Sequence, residues 1–285
     1  MRGGRPGGLR PSRVVPVGLL IGFLVGVLSG CGEAANVTSD DLSIGIGNYV
    51  RYGDAPQQFG ELRLPDGPGP FPVVVFLHGG FWRNTYDLTL ALPQADDARR
   101  RGYATWNVEY RRVGDPGGGY PGTLDDVGTA IDALARIDAP LDLDRVVVVG
   151  HSAGGHLALW AGQRDDPVVV PRLVVGQAPV ADLEAGRELS GGAVVDFMGG
   201  GPDQRPAEYD LADPARRLPI RVPQLIVIGT DDDVVPLSVV QPYEAVAGPG
   251  LDLRVFSGVD HYDVIDPDSP TWEAVMSEVS RVLAD

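Results

Sequence analysis

Gly150-His151-Ser152-Ala153-Gly154 sets a serine between small residues. The run before it, Val146 to Val149, reads as a buried strand, and residues 153–163 read as a helix. A turn that sharp needs small neighbours and holds the serine hydroxyl exposed at the helix N-terminus. There the positive end of the helix dipole and the amide of Ala153 can stabilise an anion. Ser152 is therefore a candidate nucleophile, provided that a base reaches it.

Four histidines are available. His78 lies in the turn after an early strand. His151 adjoins Ser152, and its side chain is expected to point away from the hydroxyl. His156 is one turn into the helix and is expected to pack or bond locally. His261, in Gly258-Val259-Asp260-His261, follows the last strand at the same end of the sheet. Elimination leaves His261 as the general base, although alone it would read equally well as a surface-loop histidine. A triad acid belongs after a late strand. The segment Gly229-Thr230-Asp231-Asp232-Asp233-Val234-Val235-Pro236 offers three adjacent aspartates, with Asp182 as the fallback. His78-Gly79-Gly80-Phe81-Trp82 follows the strand ending at Leu77. Its glycines let backbone amides approach a developing oxyanion.

The elements that must position these groups alternate between strand-like and helix-like patterns from Phe71 onward, as a parallel sheet covered on both faces requires. Strands are expected at residues 73–77, 103–110, 146–149, 173–175, 225–228 and 251–256. A helix is expected over residues 123–137, where Leu124, Val127, Ile131 and Leu134 recur at helical spacing and Thr123 with Asp126 has the form of an N-cap. A terminal helix opens at Ser269-Pro270, with Trp272, Val275, Met276, Val279 and Val282 as its core stripe. Residues 181–222 break the rhythm and read as a small insertion over the sheet edge, a possible source of pocket residues.

Composition narrows the class. The chain has 285 residues with 44% hydrophobic and 22% charged, which excludes disorder as the main theme. All 23 basic residues are arginine, and the formal net charge of -16 argues against nucleic acid as a charge-driven partner. Cys31 is the only cysteine, which excludes an intramolecular disulfide and a cysteine metal cluster. Arg2, Arg5, Arg10 and Arg13 precede an uncharged apolar run from Val14 to Leu28, too short to span a bilayer but suited to a secretory signal. Leu28-Ser29-Gly30-Cys31 resembles a bacterial lipobox, which makes Cys31 the expected lipid attachment point. An uncleaved anchor, or cleavage leaving a free thiol, are the other readings. Losing residues 1–30 removes four arginines and no acid, moving the charge from -16 to -20. Residues 31–44 then read as the lipidated cysteine and a flexible tether.

Taken together, these residues resemble the α/β-hydrolase fold over about residues 45–285, with a mostly parallel central sheet, helices on both faces and a cap insertion at 181–222. His78-Gly79-Gly80-Phe81-Trp82 is similar to the HGGxW segment of kynurenine formamidase-like esterases and related hormone-sensitive-lipase-like enzymes. GHSAGG, Gly150 to Gly155, is the form seen there. The resemblance implies Ser152 as nucleophile, His261 as base and Asp232 as the acid, the fourth residue of a G-T-x-D-x-x-V-P pattern. It implies an oxyanion hole from the amides of Gly80, Phe81 and Ala153, and no metal or organic cofactor. Phe81 stands where HGGG has its third glycine, so its ring narrows a substrate pocket that Trp82 also lines. The expected activity is hydrolysis of carboxylic esters of small to moderate size. The alternatives are an amidase, arylformamidase-like or aminopeptidase-like enzyme on the same triad, and an inactive surface-anchored binding lipoprotein. The expected partners are a small-molecule ester or amide and, through the lipid on Cys31, the outer face of the cell membrane. No nucleic acid is expected, and the oligomeric state stays open.

Overall fold

The computed structural model describes residues 49–284. The proposed signal, Cys31 and the tether lie outside them. Eight strands form one sheet in the order β1-β2-β4-β3-β5-β6-β7-β8. They are β1 Tyr49–Arg51, β2 Phe59–Arg63, β3 Phe71–Leu77, β4 Ala104–Val108, β5 Leu141–His151, β6 Leu173–Gln177, β7 Gln224–Gly229 and β8 Leu251–Phe256. The first two strands pair antiparallel, as do β2 and β4; every other pairing is parallel. This is the α/β-hydrolase fold that the sequence implied.

The valine runs are continuous rather than alternating because both faces of the sheet are covered. Val73, Val75 and Leu77 of β3 face one core layer with Val146 and Val148 of β5 and Ile226 and Ile228 of β7. That layer is closed by α2 Gly122–Ala133, α3 Ala153–Ala161 and α6 Leu237–Ala247. Val74, Phe76, Val147, Val149, Leu225 and Val227 face the opposite layer, closed by α1 Leu92–Arg100 and α7 Pro270–Leu283.

Several expectations shift in detail. The helix expected over 123–137 ends as an α-helix at Ala133. Thr123 and Asp126 do not cap it. Thr123 Oγ1 donates to the Arg111 carbonyl at 2.6 Å, and Asp126 accepts from the Arg111 main chain and guanidinium. Both side chains fasten the loop after β4 instead, because the Arg111 fork competes better for the buried carboxylate than the helix amides do.

The insertion at 181–222 carries α4 Ala193–Met198 and α5 Pro206–Ala212. It packs against the loop after β3 and against α3. The Phe197 ring stacks on Trp82, the Phe197 carbonyl accepts from Tyr120, and the Ala212 carbonyl meets His156 of α3. Two apolar rings buried together there hold the segment inward.

The strand order jumps over β3 between β4 and β5, so the loops after β3 and β5 part at a switch point. Ser152, His261, Asp232 and the glycine loop at 79–80 leave the carboxyl ends of β5, β8, β7 and β3.

Helix α7 begins as expected. The side chain of Ser269 accepts from the Trp272 amide, Pro270 holds the first turn, and Trp272, Val275, Met276 and Val279 are buried. Val282 is half-buried, and Leu283 takes the inner position. Replacing Ser269 by alanine should cost about 1 kcal/mol of stability. Urea unfolding of the variant checks this.

Candidate active site

Ser152 is held at φ 55°, ψ -120° between β5 and α3. A residue with a Cβ adopts this left-handed geometry only under constraint. The constraint is close packing of backbone on backbone. A Cβ on Gly150 would lie 2.0 Å from the Gly154 carbonyl oxygen, and one on Gly154 would lie 2.0 Å from that of Leu77. The Ser152 amide donates to Gln177 at 2.8 Å, and its carbonyl accepts from His156 and Val180. β5, β6 and α3 thus fix this single residue from three directions.

His261 follows β8 and is 3% exposed. Its Nδ1 lies 2.7 Å from Asp232 Oδ2. A carboxylate only accepts, so Nδ1 carries the proton and Nε2 presents a lone pair. Asp232 Oδ1 accepts from the amides of Val234 and Val235, at 3.0 and 2.7 Å. All of its bonds are therefore to donors, and a buried carboxylate needs them. The neighbouring Asp231 and Asp233 are exposed. Asp182, the fallback acid, caps its own turn by accepting from the Ala185 amide.

Ser152, His261, His151, Gly80 and Phe81 line one cleft with Tyr86, Leu90, Val234, Tyr262 and Ile265. It encloses about 50 Å³. No residue of 181–222 is among those lining it, so the insertion supports the site from behind.

The loop after β3 has positive φ at Gly80, Phe81 and Trp82, at 115°, 52° and 54°. Gly80 tolerates no side chain, since a Cβ there would stand 2.5 Å from Tyr86. Among the described residues no hydrogen-bond acceptor meets the amides of Gly80, Phe81 or Ala153. They are donors without an internal partner, beside Ser152. The Phe81 ring lines the cleft. Trp82, expected to line it too, does not. It is fully buried, stacked on Phe197 with centroids 4.7 Å apart and edge-on to His156. Successive left-handed residues turn its indole into the core, where it anchors the loop.

The other histidines are structural in three different ways. His78 stacks on Tyr110 and lies 3.4 Å from Glu109. His156 lies 3.0 Å from the carbonyl of Ala212, a longer-range contact than expected. His151, expected to point away from the Ser152 hydroxyl, places its ring 4.5 Å from that of His261. It lines the cleft floor, with Nε2 2.9 Å from the His261 carbonyl. Tyr86, Leu90, Tyr262, Ile265 and Gln177 are among the neighbours that sequence reasoning missed. Tyr86 sits in a loop and Leu90 in a short 3-10 turn, neither with a sequence signal, whereas a glutamine ending the run Leu173-Val174-Val175-Gly176 is a polar residue where only burial was expected.

With this geometry in place, comparison with known proteins is informative. The BD-FAE family profile matches residues 62–242, which include Ser152, Asp232 and the loop after β3. The chain belongs to the BD-FAE family. As a BD-FAE member it is 29% identical over 262 residues to Esterase LipC of Mycobacterium tuberculosis, an alignment covering 82% of this chain. The chain spans 64% of that relative's length. Among solved structures, esterase B from Lactobacillus rhamnosis superposes with a TM-score of 0.67 at 21% identity, covering 82% of this chain and 83% of that one. An esterase from Thermogutta terrifontis gives 0.65 at 20% identity, covering 84% and 91%. These likenesses confirm the α/β-hydrolase fold of this BD-FAE chain.

Burial also sets the pH response of this BD-FAE domain. Burial, helped by the neighbouring His261, pushes His151 down to about 3, and burial pushes His156 down to about 4. In the unfolded chain both take a proton near 6.5, the ordinary value. Their contribution to stability is therefore present above that pH and is lost as the solution is acidified. Asp213 acts in the opposite sense. Burial and nearby Asp182 push it up to about 7, so its contribution is lost as pH rises through that value. Between about pH 6.5 and 4.5 the native protein should lose up to about 1.4 kcal/mol per pH unit more than His156→Gln does. Urea titrations at several pH values measure the difference in slope.

Proposed function

We propose that this protein is a serine hydrolase that cleaves carboxylic esters of small to moderate size through Ser152, His261 and Asp232. The observation that carries the reading is the 2.7 Å pairing of His261 with buried Asp232, in the same cleft as a serine held at φ 55°. The esterase named among the relatives supports the bond class. The cleft of about 50 Å³, walled by Tyr86, Leu90, Val234 and Ile265, supports a compact acyl group.

The chemistry follows from the positions. His261 Nε2 takes the proton of Ser152 Oγ as that oxygen attacks the ester carbonyl. Asp232 holds the productive tautomer and stabilises the imidazolium. The amides of Gly80, Phe81 and Ala153 donate to the tetrahedral oxyanion. His261 then protonates the departing alkoxide, and an acyl-enzyme remains. Water, deprotonated by His261, attacks that ester; the carboxylic acid leaves and Ser152 regains its proton.

Ser152→Ala should lower kcat by about 10⁴-fold or more, and Asp232→Asn by about 10² to 10⁴-fold. Asp231→Asn and Asp233→Asn should stay within about threefold. A panel of aryl esters of increasing acyl length, aryl formamides and peptide anilides reads both mechanism and substrate. Short acyl esters should turn over fastest. Activity surviving in Ser152→Ala refutes the mechanism, and faster cleavage of formamide or anilide moves the enzyme to the amidase class. Failure of the native protein to label with a fluorophosphonate favours an inactive binding protein.

We further propose that residues 1–30 are an export signal and that Cys31 carries the lipid that anchors the enzyme to the outer face of the cell membrane. The arginine-rich start, the apolar run to Leu28 and the Leu28-Ser29-Gly30-Cys31 junction support this. Intact-mass measurement should find a diacylated chain beginning at Cys31, and Cys31→Ser should abolish the added mass. A secreted chain without lipid overturns the anchor.

A further inference from the structure

Two polar side chains that the proposed chemistry does not use are buried beneath the His261 loop. His151 ends β5 and Gln177 ends β6, and the two are register partners across the parallel ladder. Gln177 is fully buried and His151 is 8% exposed. An imidazole and a carboxamide side by side in a valine-rich sheet destabilise the fold unless each makes specific bonds. Both direct a donor at the same loop. His151 Nε2 lies 2.9 Å from the carbonyl of His261, and Gln177 Nε2 donates to the carbonyl of Val264 at 2.6 Å. A carbonyl only accepts, so His151 carries its proton on Nε2.

The acceptors are main-chain oxygens, three residues apart. The bonds therefore fix the backbone of the loop at two points, and not merely one ring. Within the loop, Asp260 Oδ1 accepts from the amides of Tyr262 and Asp263, and Asp263 Oδ2 accepts from that of Asp260. These tie the exposed turn to itself but not to the sheet. The His151 ring also packs against the His261 ring, tilted by 46°. Burial keeps His151 neutral, so it stays a donor and adds no second positive charge when His261 becomes an imidazolium.

We propose that His151 and Gln177 are positioning residues that clamp the main chain of the His261 loop to the ends of β5 and β6, and so hold the imidazole where it serves both Ser152 and Asp232. This rests on the hydrolase reading above.

The test uses the full chain with His151→Met, Gln177→Met and His151→Gln, alongside Ser269→Ala as a variant destabilised away from the site. Each Met variant should lower kcat by about 10- to 100-fold while KM moves within about threefold, as for a misplaced reacting group. The double Met variant should lose less than the product of the two, because both bonds hold one loop. His151→Gln should recover most of kcat, since its amide nitrogen can occupy the place of Nε2. The far-downfield proton that His261 Nδ1 shares with Asp232 should broaden in both Met variants, sharpen again in His151→Gln and be unchanged in Ser269→Ala. The inference is overturned if both Met variants keep kcat within about twofold and leave that resonance unaltered, or if His151→Gln is as impaired as His151→Met. An inactive Ser152→Ala with unaffected Met variants refutes the clamp alone. An active Ser152→Ala refutes the hydrolase reading, and the resonance still reports on the clamp.

Discussion

The backbone of Ser152 is the constraint on which the rest of the site depends. Its φ of 55° costs on the order of 1–3 kcal/mol for a residue with a side chain. That conformation persists because its surroundings leave no other. Gly150 and Gly154 let two backbones approach to a distance that no Cβ would allow. The amide and carbonyl of Ser152 are tied to β6 and to α3. Relaxing the serine would mean separating β5 from the helix that follows it, and that helix is buried along eight of its nine residues. Strain at one residue is offset by burial spread across two layers.

The same burial decides where polar groups can go. Strands covered on both faces have no room for charge along their length. Three polar side chains of the central strands stand instead at or just past the carboxyl edge, where loops can meet them. His78, His151 and Gln177 all leave strand ends and all find partners there. Asp232 reaches that edge on a loop whose own amides satisfy it, so it can stand buried against His261.

The main elements of the site were legible because each sits at a break in a strong pattern. Ser152 lies where a valine run meets glycines, and His261 and Asp232 lie just past the last buried runs. Such punctuation reflects local sterics, which sequence expresses directly. The misreadings were of another kind. Trp82 adjoins a glycine loop and so resembles a pocket wall, yet two left-handed residues turn it into the core against Phe197. Thr123 and Asp126 have capping spacing, yet Arg111 takes the carboxylate. Strands β1 and β2 carry too little apolar pattern to announce themselves. Gly60 of β2 exists to admit the ring of Trp106, a neighbour 46 positions away.

By itself the sequence determined the sheet-and-helix alternation, the serine turn and the loops that carry His261 and Asp232. These follow from hydrophobic periodicity and from which residues tolerate a tight turn, and both are properties of short stretches of chain. Only the tertiary structure brought Asp232, the aspartate the resemblance implied, against His261, set the His151 ring beside that of His261, and kept the insertion from lining the cleft. Those outcomes depend on where the ends of β5, β6, β7 and β8 lie relative to one another. That placement is set by the packing of two core layers on the sheet, which no single segment encodes.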